Sequence, residues 1–247
     1  SKYEFHKNFK EFKFIPETYL IYNNINEVIN KIDKINNFNE IYLLKKDCVE
    51  FSKGIYLIKN KKDLLKNVIN DKRYVLQKII PNPKLINNCK FDIRFYIIFT
   101  YDSNSYKLYL YYEGFIRKSN LNYSINFNNI VINSNNNNEY IVLDKKNNFY
   151  NIIINQVIHI LKKSLNKINN ILFNENHLKG YHLLGCDFIL DNNDKLWFLE
   201  MNHYPTLYNN PNRKKNDQDL INIILVEIIE PLLENKKINS PKLFEII

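Results

Sequence analysis

Glu200 and Asn202 stand two residues apart in the run Leu196-Trp-Phe-Leu-Glu-Met-Asn-His203. On an extended strand that spacing puts both side chains on one face. The preceding run, 181–190, is separated from it by the polar turn Asp191-Asn-Asn-Asp194, so the two read as a hairpin. Centring the turn near Asn193 brings Asp187 within about a residue of Glu200 across the ladder. Trp197, Leu199 and Met201 then fall on the opposite, apolar face. Two carboxylates and an amide oxygen are hard donors. They suit magnesium bridged to substrate phosphates, because that ion keeps several waters and needs few protein ligands. The same residues would also be at home on a solvated sheet face, and hairpin geometry does not separate the two readings.

A second candidate lies in Lys90-Phe-Asp-Ile-Arg94, where charged and apolar residues alternate. Lys90, Asp92 and Arg94 fall on one strand face, and Phe91, Ile93 and Phe95 on the other. Farther along, the first face turns to Tyr96, Ile98 and Thr100, so the charges gather at one end of an apolar strand, where either a cleft or plain solvent would meet them. Arg117, just past Glu113-Gly114, adds a second guanidinium to the region, and paired arginines suit phosphate oxygens. Lys45 and Lys78 each close a β-rich run, from which an ammonium reaches either a nucleotide lying between sheets or water. No G-x-x-x-x-G-K-[ST] or G-x-G-x-x-G occurs, which excludes P-loop and Rossmann phosphate cradles. His6, His159, His177 and His182 show no metal-ligand spacing and read as core or surface residues, while His203 adjoins the candidate metal strand.

Positioning these groups takes a mixed succession of strands and helices. The runs 41–46 and 54–59 are β-rich, 63–69 has a helical period, and 74–79 is β-rich again. Proline cannot continue a central strand, so Pro81-Asn-Pro83 predicts a boundary between two lobes, 1–80 and 81–247. Beyond it, 91–101 and 107–112 predict a hairpin around Asp102-Ser-Asn-Ser-Tyr106, and 120–138 an Asn-rich loop. The segments 152–172 and 217–233 carry apolar residues at helical spacing.

With 247 residues, 45% hydrophobic and 25% charged, the chain can bury a sizeable core, which excludes global disorder. Cys48, Cys89 and Cys186 are scattered and form no C-x-x-C pair, arguing against a disulfide framework and a zinc knuckle and for a reducing compartment. No apolar run approaches the ~20 residues of a membrane helix. Residues 1–7 are too polar for a signal peptide, so a soluble, unexported protein is expected. The net charge of +9 favours polyanionic partners: nucleic acid, acidic lipid, nucleotide or an acidic protein tail. The chain has no alanine and abundant Asn, Lys and Ile, a coding bias that leaves single Asn or Lys residues with little information.

Taken in order, these segments resemble the tubulin-tyrosine-ligase-like family of ATP-grasp ligases. Phe14-Ile-Pro-Glu-Thr-Tyr19 is similar to the family's opening motif, and Tyr42-Leu-Leu-Lys45 with Lys53-Gly-Ile55 to its strand, lysine and glycine loop. Tyr74-Val-Leu-Gln-Lys-Ile-Ile80 resembles the hinge that holds adenine, and Pro83-Lys-Leu-Ile86 with Lys90-Phe-Asp-Ile-Arg94 its most diagnostic stretch. Gly114-Phe-Ile-Arg117, Leu184-Gly-Cys-Asp187 and the run from Leu196 to Pro205 follow, and the likeness extends over 14–233. Two departures stand out. Ser52 occupies the place of a second loop glycine, and the family's His-Leu-Thr-Asn nucleotide motif is matched at most by Ile130-Val-Ile-Asn133. The chain also starts at Ser1 without the lobe many members place ahead of the core, which predicts a fragment or a minimal form.

The resemblance implies an α+β ATP-grasp fold whose two lobes sandwich ATP between β-sheets. The first lobe would carry the glycine loop and adenine hinge, the second the metal and phosphoryl-transfer site. By the same resemblance Lys45 and Lys78 contact nucleotide phosphates and base, Gln77, Ile79 and Ile80 line the adenine slot, and Lys90, Asp92 and Asn133 help hold ribose and phosphates. Arg94 and Arg117 would face the transferring phosphoryl group, and Asp187, Glu200 and Asn202 would hold Mg2+, with Arg94, Arg117 and Glu200 as the catalytic set.

The implied reaction is ATP-dependent addition of an amino acid to a carboxylate of an acidic protein tail, such as that of tubulin, through an acylphosphate. The Asn202-His203-x-Pro205 run resembles that of some glutamylating members, so the resemblance implies glutamate as first choice of donor, with tyrosine or glycine left open. A cytoplasmic, cytoskeleton-associated setting follows from the resemblance, with no membrane partner. Nucleic-acid binding has charge in its favour but no recognition motif. The competing reading is a degenerate ligase, a non-catalytic module that uses its positive charge to hold acidic tails.

Overall fold

In the computed structural model the described residues are 1–35, 40–49, 54–102, 105–124, 139–172, 179–203, 205, 207 and 214–246. Ser52, Lys53, Asn133 and most of the Asn-rich stretch lie outside them. The chain divides into two compact units. One comprises Ser1–Asp92, Lys118–Glu139 and Phe188–Glu200, the other Ile93–Arg117, Tyr140–Asp187 and Met201–Ile247.

The first unit opens with three elements that the sequence reading leaves unassigned: α1 (Lys2–Phe9), β1 (Thr18–Ile21) and α2 (Ile25–Ile35). The Ser1 hydroxyl caps α1 by accepting from the Glu4 N–H. Next come β2 (Tyr42–Lys46), β3 (Ile55–Ile58), α3 (Lys61–Asn67) and β4 (Tyr74–Lys78). The helix α3 begins where Asn60 accepts from the Asp63 N–H, while Asp63 accepts from the Lys59 N–H, a reciprocal cap. Antiparallel pairing gives the sheet order β1-β4-β2-β3. Its core combines Leu44, Ile58, Tyr74 and Leu76 from the sheet with Val28, Ile29 and Ile32 from α2. In the same unit Phe5 and Phe9 of α1 stack at 4.7 Å between centroids, and Phe5 meets Phe198 edge-on at 5.0 Å.

A tight hairpin joins β5 (Leu85–Ile86) to β6 (Cys89–Asp102). Its two turn residues, Asn87 and Asn88, have φ of 52° and 61°, the left-handed backbone that asparagine tolerates. Pro81 and Pro83 lie within the first unit, fastened to the turn that follows residue 190. Pro83 bridges Asp191, the Asn192 N–H donates to the Asn82 carbonyl, and the Lys84 ammonium pairs with Asp194.

The second sheet has the order β10-β9-β6-β7-β11, with β5 on β6 and β8 on β7. Its further strands are β7 (Tyr106–Asn122), β8 (Glu139–Leu143), β9 (Lys179–Leu190), β10 (Leu196–His203) and β11 (Leu243–Glu245). The strand expected over 107–112 in fact runs on through Gly114 to Asn122. Glycine permits this because the Phe95 ring lies directly on the strand there, and a Cβ at Gly114 would stand 2.8 Å from Phe95 Cζ. Arg117 is therefore a strand residue, held by ladder pairing.

In β10 the expected apolar face is also revised. Phe198, which shares a face with Glu200 and Asn202, is fully buried, whereas Trp197 and Leu199 are only half-buried. Trp197 serves the turn instead, donating its indole N–H to Asp191 at 2.9 Å beneath the Lys195 ammonium.

In the second unit, Tyr96, Ile98, Tyr109, Tyr111 and Phe115 pack with Leu220, Ile223, Ile224 and Ile228. Helix α4 (Tyr150–Leu172) buries Ile153, Val157, Ile160, Leu161 and Ile168 at the spacing the sequence predicts. The expected C-terminal helix is present but not uniform: α5 (Lys214–Asn222) passes into a π-helical turn, Ile223–Ile229, and then α6 (Glu230–Leu233). Pro231 supplies the reason, since its ring cannot coexist with an α-helical carbonyl four residues back and it offers no N–H. Among the described residues no helix is long and apolar enough to cross a membrane.

Candidate functional site

The first unit gathers one set of the sequence-derived residues. Pairing of β2 with β4 puts Lys45 opposite Val75 and Leu43 opposite Gln77. From there the Lys45 ammonium donates to Gln77 Oε1 at 2.7 Å, with both side chains buried. Asp92 is buried on β6, two residues beyond Lys90 on the same face. Burial pulls Lys90 down to about 8, with Asp92 opposing that shift and Lys45 adding to it. These are not fully solvated strand-end charges: Lys45 and Asp92 are buried, and Lys90, half-buried, is close enough to feel both. Lys78 differs, being half-exposed and paired with Glu40 at 2.8 Å. Ile79 extends the β4 ladder by donating to the Ile41 carbonyl, and Ile79 and Ile80 are half-buried, apolar and next to Gln77.

A lysine already near 8 has a measurable consequence. If Lys90 meets a bound polyanion, which favours the ammonium form, binding above about pH 8 should take up as much as one proton, and affinity should fall by up to about tenfold per pH unit there. Calorimetry near pH 8.5 in two buffers of different ionisation heat reads that uptake (pH chosen about half a unit above the lysine). Buffer-independent heats would show that Lys90 does not meet the anion.

The second unit gathers the other set, on four strands that adjoin in the order β10-β9-β6-β7. Arg94 on β6 grips Asp187 on β9 in a fork, Nε to Oδ1 at 2.7 Å and Nη2 to Oδ2 at 2.6 Å. Arg117 Nη2 on β7 stands 3.0 Å from Asp187 Oδ1, and Asn202 Nδ2 on β10 donates to Oδ2 at 3.3 Å. The side chains of Asp187, Arg117 and Arg94 are 3%, 9% and 12% exposed, so the cluster is almost dry. Burial would lower the Arg94 guanidinium, but the Asp187 carboxylate outweighs it and holds Arg94 above its ordinary value. Gly185 leaves the room: a Cβ there would come within 2.9 Å of Pro205 Cβ and 3.4 Å of Arg94 Nε. Burial and the neighbouring Asp187 push the Cys186 thiol far up, which removes it as a nucleophile.

Thus Lys45, Gln77, Lys90 and Asp92 converge in one unit, and Arg94, Arg117, Asp187 and Asn202 in the other. Glu200 is half-buried on β10. Asn133 lies outside the described residues. Among the described residues no three His, Cys, Asp or Glu side chains converge as a metal cluster. The hard oxygens of Asp187, Glu200 and Asn202 are chemically suited to magnesium, while both Asp187 oxygens carry guanidinium partners as they stand.

His6 is a neighbour that the sequence reading leaves as core or surface. It is 1% exposed, with Nε2 3.5 Å from Gln77 Nε2. Its position beside Phe5 and near Phe9, one helical turn on, was the available signal for burial, and nothing in the sequence ties it to Gln77.

Two antiparallel sheets, one carrying the buried Lys45–Gln77 pair and the other the arginine–carboxylate cluster, fit the ATP-grasp-like fold of the family that the comparisons identify. The family model of the tubulin-tyrosine ligase family matches residues 2–140 and 132–239, and the chain belongs to that family. A Tetrahymena thermophila protein named "Probable beta-tubulin polyglutamylase" is 26% identical over 236 residues, covering 79% of this chain and 19% of that protein. A Caenorhabditis elegans protein named as a probable tubulin polyglutamylase is 25% identical over 227 residues, covering 80% and 53%. A human protein named as an inactive polyglycylase is 24% identical over 284 residues, covering 95% and 41%. The chain thus spans from a fifth to about half of the length of these relatives.

Proposed function

We propose that this chain is the ATP-dependent ligase core of a tubulin-modifying enzyme, joining an amino acid, glutamate first, to a glutamate carboxylate of an acidic tail. The observation that carries this reading is the dry convergence of Arg94 and Arg117 on Asp187. Asp187 keeps two guanidinium groups charged and side by side in a dry site, from which they can meet the charge that develops as a phosphoryl group moves to the acceptor carboxylate. In this reading Lys45, Lys78 and Lys90 neutralise nucleotide phosphates, Asp92 orients Lys90, and Gln77, Ile79 and Ile80 accept the base. Asp187, Glu200 and Asn202 hold magnesium, with Arg94 and Arg117 turning from Asp187 toward phosphate. Magnesium, when bound, shields the phosphates and keeps the terminal one in line. Transfer of the terminal phosphoryl group gives an acylphosphate on the acceptor. The donor amine then attacks its carbonyl, forming an amide and releasing phosphate.

Incubation with ATP, magnesium, a Glu-rich tail peptide and glutamate, glycine or tyrosine, followed by mass spectrometry, tests this. Glutamate additions through an isopeptide bond are expected, and they should weaken with salt because the +9 charge attracts the acidic tail. Additions of glycine or tyrosine alone would overturn the donor. The relative named as inactive supports one further reading, a module that binds acidic tails without turnover. Peptide binding without ATP binding in calorimetry would decide for it.

A further inference from the structure

We infer that His6 is a positioning residue, which fixes the amide of Gln77 so that its oxygen faces the Lys45 ammonium. The inference rests on the reading above, in which Lys45 meets nucleotide phosphate. Its logic is that of donors and acceptors. An ammonium only donates, so its 2.7 Å contact must be to Gln77 Oε1, and the amide NH2 is turned toward His6 Nε2 at 3.5 Å and Thr18 Oγ1 at 3.4 Å. That NH2 only donates as well. His6 Nε2 therefore accepts, and the ring hydrogen sits on Nδ1. Nδ1 is buried and has no hydrogen-bond partner among the described residues.

An orphaned buried donor on α1, beside the ring of Phe5 at 4.9 Å, is a cost that leucine would avoid. A packing role alone does not account for the imidazole. Orienting Gln77 does: with the amide reversed, NH2 would face the ammonium and this 2.7 Å contact would be lost. Burial first, and the Lys45 charge second, hold the His6 imidazole well below the usual histidine range, which keeps Nε2 available as an acceptor.

Two measurements test the assignment. Nitrogen-15 NMR of the protein without nucleotide should show His6 neutral with Nδ1 protonated and Nε2 bare, and the opposite tautomer would overturn the inference. In the second, His6→Leu removes the acceptor but suits the core, while His6→Gln places an amide oxygen close to the position of Nε2. Nucleotide titration should find His6→Leu weakened about fivefold to tenfold with an unchanged or higher melting temperature, and His6→Gln within about twofold of the original. Wild-type affinity in the leucine variant, or losses in both variants that track melting temperature, would also overturn it. If the unmodified protein does not bind ATP, the nucleotide reading falls and the tautomer alone decides the part played by His6.

Discussion

Asp187→Asn should cost about 3–5 kcal/mol of folding stability and abolish ligation. The side chain keeps its shape, so packing is preserved and only the charge is lost. That charge is the shared partner of Arg94, at 2.7 and 2.6 Å, and Arg117, at 3.0 Å, in surroundings where every member is at most 12% exposed. An asparagine would oppose one of its NH2 donors to a guanidinium and leave buried positive charge uncompensated. Against a total stability of about 5–15 kcal/mol, urea unfolding would reveal so large a change at once. The companion variant Arg94→Met, Arg117→Met and Asp187→Leu replaces all three charges of the cluster by apolar groups. It should recover much of the stability and none of the turnover, since removing the whole charged cluster is far less costly than removing its one anion. A loss below about 1 kcal/mol in Asp187→Asn would mean that water screens the cluster despite its burial.

Glu200→Gln should do the reverse, leaving the fold intact while slowing ligation by about a hundredfold or more, equivalent to several kcal/mol of transition-state stabilisation. Glu200 is half-buried on β10, and the apolar anchors of that strand are Leu196, Phe198 and Met201 rather than Glu200 itself. In the proposed mechanism the isosteric change therefore removes one ligand charge and little packing. A solvated sheet carboxylate would shift stability by no more than about 0.5 kcal/mol and leave the rate alone. Single-turnover ligation beside thermal melts separates these outcomes, and near-normal turnover would remove magnesium ligation by Glu200 from the mechanism.

Much of the scaffold was legible in short stretches. Strands β2, β3 and β4 and helix α4 appear close to where β-rich runs and helical spacing predict them, because such patterns are complete within one element. The elements before residue 40 were less so, since α1 and β1 span only eight and four residues and present too few periods to read. The strand β7 outruns its expected span for a different reason. Glycine in a strand normally argues for an end or a bulge, whereas Gly114 is there to admit the Phe95 ring from β6, a contact between strands that no window of sequence contains.

The candidate site divides along the same line. That Lys90, Asp92 and Arg94 share a face, and that Glu200 shares one with Asn202, needs only the period of two along a strand, and the ordered motifs were enough to indicate the family. Alternation could not say whether those faces were wet or dry. Strand order placed Arg94, Asp187, Arg117 and Asn202 side by side from segments that lie up to 108 residues apart in the chain, and turned a row of surface-like charges into a buried clamp. The pairing of β2 with β4 likewise joined Lys45 to Gln77, and the packing of α1 brought His6 against them. Periodicity belongs to the local backbone and travels with the sequence. Burial and partnership belong to register and layer packing, which arise only when distant segments close on one another.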